Sequence, residues 1–265
     1  MQCLARSKSK TTRMFNLIIN ADDLLLSAGI NDAIIELLDL GAVTNTTAMM
    51  CCEESPDTLT AIRRHLPMDR VGVHLQLTSG TPISTSQGLI DNQSGRFLNS
   101  DHFGSLDPAE VYLEWKAQVD LFIKIGGHPP SHLDSHHAPH RHKQLFPVYA
   151  RLAKEYCVPV RAGGSISSEL RTMSIRHPSG YVDDWTGASL SYGALLLSLD
   201  KIGSQHHGAW VEVVTHPSKF DSNLSKISSL SHQRYNDYTE IKRFFEFYSK
   251  HPKSKFSFSS FGDIE

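Results

Sequence analysis

Two aspartates stand side by side at Asp22-Asp23, directly after the apolar run Phe15-Asn16-Leu17-Ile18-Ile19-Asn20. Adjacent carboxylates repel unless a cation or hydrogen-bond donors neutralise them. A metal that takes one of the pair leaves the other free to act as a base; the competing reading has one of them capping the next helix. Imidazole is concentrated too. Of 15 histidines, six (His128, His132, His136, His137, His140, His142) fall within residues 128–142. That density suits metal binding, with a polar surface loop as the alternative. His132, Asp134 and His136 are spaced by two, so an extended backbone points them to one side. His74 is out of phase with Val71, Val73, Leu75 and Leu77, and shares its face with Gly72 and Gln76. Thr215-His216-Pro217 closes a late apolar run, and Glu212 lies on the face of His216, where an acidic neighbour can orient it.

The surrounding pattern supplies the elements that must position these groups. Strand-like and helix-like segments alternate from Met14 onward. Strands are expected at Phe15–Asn20, Asn45–Met50, Val71–Leu77, His132–Asp134, Val158–Arg161, Trp210–Thr215 and Lys255–Ser259. Helices are expected at Gly29–Leu40, Pro56–His65, Pro108–Ile125, Gln144–Tyr156, Ala188–Ile202 and Tyr238–His251. Residues 163–184 read as irregular, and a Gly-, Ser- and Thr-rich loop at 78–106 reads as an insertion or lid. Alternating elements imply a parallel sheet with right-handed crossovers, a closed or nearly closed (β/α) barrel of about seven strands, or else an open doubly wound sheet. In either, chemistry belongs at the carboxyl ends of strands, where Asp22-Asp23, His74, the 131–140 segment and His216 all fall.

Composition excludes several classes of function. The chain has 265 residues, 26 basic against 28 acidic, and no long basic run, which argues against binding nucleic acid or an anionic membrane. No apolar stretch approaches the roughly 18 residues of a spanning helix. Cys3, Cys51, Cys52 and Cys157 fit neither a metal finger nor a disulfide framework, so a reducing, cytoplasmic setting is expected. Residues 1–13 read as a basic tail, with Met14 available as a start. The remainder, 14–265, reads as one domain.

Asn20-Ala21-Asp22-Asp23, followed by Ser27, Gly29, Asn31 and Ala33-Ile34, resembles the opening motif of the YdjC-like carbohydrate deacetylases. The resemblance continues through Gly41-Ala42-Val43-Thr44, Val71–Thr78 and Pro130–His137, and ends with Glu212, Thr215-His216-Pro217 and Asp221. Four motifs in the right order are specific where any one alone is weak. The resemblance implies a distorted (β/α) barrel related to polysaccharide deacetylases, often homodimeric, acting on a small oligosaccharide. It implies Asp22 as proton acceptor, Asp23, His74 and His136 as ligands of a divalent cation, usually magnesium, and His216 as general acid. Two imidazoles favour zinc, cobalt, iron or manganese over magnesium by ligand type.

The implied reaction is hydrolysis of an N-acetyl group on an amino sugar. Trp115, Trp185, Trp210, Tyr181 and Tyr192 are available as sugar platforms. Trp115 lies on an apolar helix stripe and reads as core, which leaves Trp185, beside Asp183-Asp184, as the loop candidate. Two departures stand out. Leu24-Leu25 replace the family's Phe-Gly, whose aromatic is expected to line the pocket, and Ala138-Pro139 interrupt the His-rich motif before His140. Alternative readings are another metal-dependent amide or phosphoester hydrolase, or a carbohydrate-binding protein without catalysis. The sequence shows neither a Gly-rich phosphate loop nor an arginine cluster near the motifs, which disfavours phosphate handling.

Overall fold

The computed structural model describes residues 15–163, 166–183, 185, 191–205, 208–250 and 256–265. The expected tail at 1–13 lies outside these residues, as do the first positions of the helix expected from Ala188, and His251 and Lys255.

The strands are β1 (Phe15–Leu24), β2 (Asn45–Ala48), β3 (Val71–Leu75), β4 (Leu133–Ser135), β5 (Gly180–Val182), β6 (Trp210–Thr215) and β7 (Phe256–Phe258). The helices are α1 (Ala28–Leu40), α2 (Ser55–Ile62), α3 (Pro108–Gly126), α4 (Phe146–Glu155), α5 (Ser167–Thr172), α6 (Tyr192–Gln205), α7 (Leu224–Ile227) and α8 (Ser231–Lys250). All strand pairings are parallel, in the order β4-β3-β2-β1-β6-β5, and β7 pairs with the start of β1. The result is the expected α/β barrel-like arrangement of seven parallel strands, open as a half-barrel because no pairing between β4 and β5 closes it among the described residues. Among the described residues, the sheet continues beyond β4 as a single bridge between Leu133 and Val160. The strand expected at Val158–Arg161 is therefore reduced to one bridge, held by the Leu133 N–H on the Pro159 carbonyl and the Arg161 N–H on the Leu133 carbonyl.

β1 is the longest strand and is buried on both faces, as parallel sheets covered by helices require. Local chemistry sets the elements around it. Ser27 caps α1 by accepting from the Ile30 N–H, and Gly41 ends it in the left-handed conformation at φ 73°. Asp107 caps α3, with Pro108 in its first turn. Gly29 lets the segment after β6 approach α1. A Cβ there would stand 2.7 Å from Asp221 Cβ and 2.9 Å from the Lys219 carbonyl.

Three differences from the expected pattern bear on the site. β1 runs four residues past Asn20 and carries both aspartates within it. α8 begins at Ser231, seven residues before the apolar stripe that starts at Tyr238. The 163–184 stretch contains α5 and β5, too short to leave a periodic signature. The 78–106 segment is packed down, with Leu89, Phe97 and Phe103 buried. Glu114 of α3 accepts from the backbone N–H of Ile83 and Ser84 and pins its start.

Candidate active site

A cavity of about 310 Å³ opens at the carboxyl ends of the strands, lined among others by Asp22, Asp23, His74, His136, Arg161 and His216. All five residues singled out in the sequence meet there. Consecutive strand residues normally face opposite sides. Here the register with β2 shifts between Ala21 and Leu24, and Asp23 adopts φ 71°, so both aspartates line one cavity.

Asp23 lies at the centre. Its Oδ1 is 3.2 Å from His74 Nε2 and 3.2 Å from His136 Nδ1, and has no hydrogen-bond partner among the described residues. Each imidazole is oriented through its other nitrogen. His74 Nδ1 is 2.6 Å from Asp134 Oδ1, and His136 Nε2 is 3.2 Å from Ser79 Oγ. This is how histidine metal ligands are commonly held. Burial opposes a charge on His74, but Asp134 and Asp22 overcome it and raise its pKa to about 10. A cation at Nε2 would compete with that proton.

Arg161 organises the second aspartate. Its Nη1 and Nη2 each stand 2.7 Å from an oxygen of Asp22; Nη2 also reaches Asp134 Oδ2 at 3.0 Å, and Nε reaches Glu212 Oε1 at 2.8 Å. Burial alone would raise the pKa of Asp22, yet the adjacent Arg161 and His74 hold it well below the usual carboxylate range. His216 Nε2 faces Asp22 Oδ2 across 3.9 Å, and burial lowers its pKa. Glu212 does not orient His216, contrary to the sequence expectation. It partners Arg161, and burial pushes its own pKa to about 7. Asp237 of α8 holds the backbone there instead, accepting from the His216 N–H at 2.9 Å, while the ring Nδ1 has no partner among the described residues. A second arginine, Arg234 of α8, binds Asp23 Oδ2 at 2.5 Å.

Other expectations are corrected. His132 does not join Asp134 and His136; its ring stacks on Phe261 at 3.7 Å between centroids, and burial lowers its pKa to about 3. Ala138 sits in the left-handed region before a 3-10 turn at Pro139–Arg141, which turns His140 inward against Tyr149 and Ser135. Leu24 and Leu25 belong to the core, so their position does not line the pocket; Leu26 does. Trp185 is 3% exposed and donates to the Ser191 carbonyl, which removes it as a platform. Tyr181 is the aromatic that lines the cavity, whereas Trp115 is core as expected. The fold also assembles the arginine cluster that the sequence did not show, but Arg161 and Arg234 are held by carboxylates.

Arg161, Arg234, Asp237 and Ser79, which contact the candidate residues, were not singled out in the sequence. One signal was available for Arg161. Glu212, a charged residue inside an apolar strand, calls for a buried cationic partner.

Fold and site together define a parallel α/β half-barrel with paired carboxylates and histidines at its carboxyl rim. Residues 16–246 match the model of the YdjC-like protein family, and the chain belongs to that family. The chitooligosaccharide deacetylase of Proteus mirabilis is 33% identical over 225 residues, covering 83% of this chain and 88% of its own. The carbohydrate deacetylase of Halalkalibacterium halodurans is 32% identical over 240 residues, covering 86% and 95%. Among solved structures, an Enterococcus faecalis protein provisionally described as a cellobiose-phosphate cleavage protein is similar with a TM-score of 0.83 and 28% identity, covering 94% and 98%. A CE4 esterase of Streptococcus mutans shares the fold, with a TM-score of 0.50 at 10% identity over 94% and 86%.

Proposed function

We propose that the chain is a metal-dependent hydrolase that removes the acetyl group from N-acetylated amino sugars of the chitooligosaccharide kind. One observation carries the reading: the buried Asp23 Oδ1, without a donor of its own, lies between two imidazole nitrogens that other side chains have already oriented. The donor set of one carboxylate and two imidazoles suits a divalent cation. Asp23, His74 and His136 would hold that cation: magnesium by family resemblance, zinc, cobalt or manganese by ligand type. When bound, it supplies polarisation of the acetyl carbonyl and acidification of water.

The chain's own residues do the rest. Asp22, kept ionised and aimed by Arg161, accepts a proton from the attacking water. The hydroxide forms a bond to the acetyl carbon, and the bond from that carbon to nitrogen breaks. His216 delivers a proton to the departing amine. Its Nε2 stands 3.9 Å from Asp22 Oδ2, a gap for one bridging water to carry the collected proton across, so the products are acetate and a free amino sugar. Tyr181 gives the sugar an aromatic wall. The proposal extends to one domain over residues 14–265 and, by the family resemblance, to a cytoplasmic homodimer.

The test is acetate release from N-acetylated chitooligosaccharides. Activity abolished by a chelator and restored by a divalent ion is expected. No release with any divalent ion would overturn the proposal, and chelator-resistant release would overturn its metal dependence.

A further inference from the structure

Arg234 is 2% exposed and fixed from several sides. Its Nε binds Ser228 Oγ at 3.0 Å, its Nη2 binds Asp23 Oδ2 at 2.5 Å, and its carbonyl accepts from the Ser218 N–H at 3.0 Å. Asp23 is thereby divided. One oxygen belongs to a guanidinium, and the other faces His74 and His136.

A carboxylate can meet a divalent ion through one oxygen or both. Two-oxygen binding is tighter and takes up a second coordination position, while a catalytic site needs positions left open for water and substrate. A guanidinium beside a ligand carboxylate also repels the cation. We infer that Arg234 is a positioning residue that restricts Asp23 to one-oxygen binding, so that it weakens cation affinity and keeps a coordination position open for the reaction. This rests on the reading that Asp23, His74 and His136 hold a divalent cation. A purely structural role for Arg234 makes the opposite prediction, because disordering Asp23 would weaken binding.

Co²⁺ titration of the full-length protein, stripped of metal, separates these possibilities by calorimetry and visible absorption. Arg234→Gln is expected to bind Co²⁺ about tenfold more tightly. Its visible band should shift and lose intensity as a second Asp23 oxygen coordinates, and kcat should fall. Arg234→Lys, which keeps the charge, should restore much of the wild-type behaviour. Ser228→Ala loosens the guanidinium without removing it, and should move the band in the same direction by less; it serves if Arg234→Gln does not fold. Unchanged or weaker Co²⁺ affinity in a folded Arg234→Gln, or an unmoved spectrum in Ser228→Ala, overturns the role of Arg234. Failure of the wild-type protein to take up Co²⁺ overturns the cation site itself, a separate result.

Discussion

His74 and Asp134 face each other across adjacent parallel strands, with Nδ1 2.6 Å from Oδ1, and this contact leaves His74 Nε2 as the ring nitrogen turned toward Asp23. Thr47 steadies the pair by donating to Asp134 Oδ2 at 3.0 Å. The carboxylate fixes both the tautomer and the tilt of the ring. Asp134→Asn should weaken cation binding by about 10–100-fold while the fold survives. Equilibrium dialysis against Zn²⁺ or Mn²⁺ measures this, and wild-type affinity would show that the ring is held by packing alone.

Asp22→Asn keeps the shape of the proposed base but removes its charge. Turnover should fall by about two orders of magnitude or more, in line with general-base catalysis, while metal content stays near wild type. Acetate release and elemental analysis on the same preparation check both halves. Near-normal turnover would refute Asp22 as the base.

His74→Ala and His136→Ala should each abolish stoichiometric metal uptake. The two should differ in stability. His74 is 2% exposed and bound to Asp134, whereas His136 is 13% exposed at the cavity edge, so the first substitution should lower the melting temperature further. Unchanged metal content by elemental analysis would remove either residue from the ligand set.

Arg161 meets Asp22, Asp134 and Glu212 in a buried setting. Removing one side of such a network strands the remaining charges. Arg161→Met should cost about 3–5 kcal/mol in urea unfolding, more than a typical core substitution. A loss below about 1 kcal/mol would mean that the carboxylates find other neutralisation on the scale of an exposed ion pair.

Glu36 on α1 binds Lys219 and Lys242, which hold its pKa near 2, well under the usual 4.5. A depressed carboxylate pKa stabilises the folded state above the unfolded value, and that contribution disappears as pH falls through about 2. The group is 31% exposed, so screening limits the effect to about 1 kcal/mol. Glu36→Gln should flatten the decline in urea midpoint between pH 4.5 and 2. A decline parallel to wild type would show that the lysines contribute nothing to folding.

The groups legible in the sequence were those whose position at a strand end is itself informative. Asp22, Asp23 and His216 sit where an apolar run stops, His74 is the out-of-phase residue of an alternating one, and His136 lies in a visible run of imidazoles. Arg234 and Asp237 were hidden for a physical reason. They are buried polar residues on the early turns of α8, and hydrophobic periodicity records only apolar burial, so that stretch reads as solvent face. Arg161 is the last residue of a strand reduced to a single bridge, too short to mark a strand end by its pattern. β5 has three residues and α5 buries only Leu170, too little for a pattern to emerge. Glu212 was noticed but assigned to the wrong partner, because sharing a strand face does not fix which neighbouring element a side chain reaches.

β1 hydrogen-bonds to β2, β6 and β7, and its final residues carry both aspartates. The reactive end of the molecule is thus welded to its most densely stitched seam. Amide protons of Leu17–Ala21 should be among the last to exchange with deuterium, and breathing motions that loosen the outer strands should leave the aspartates in register. On heating, catalysis and architecture should therefore fail together.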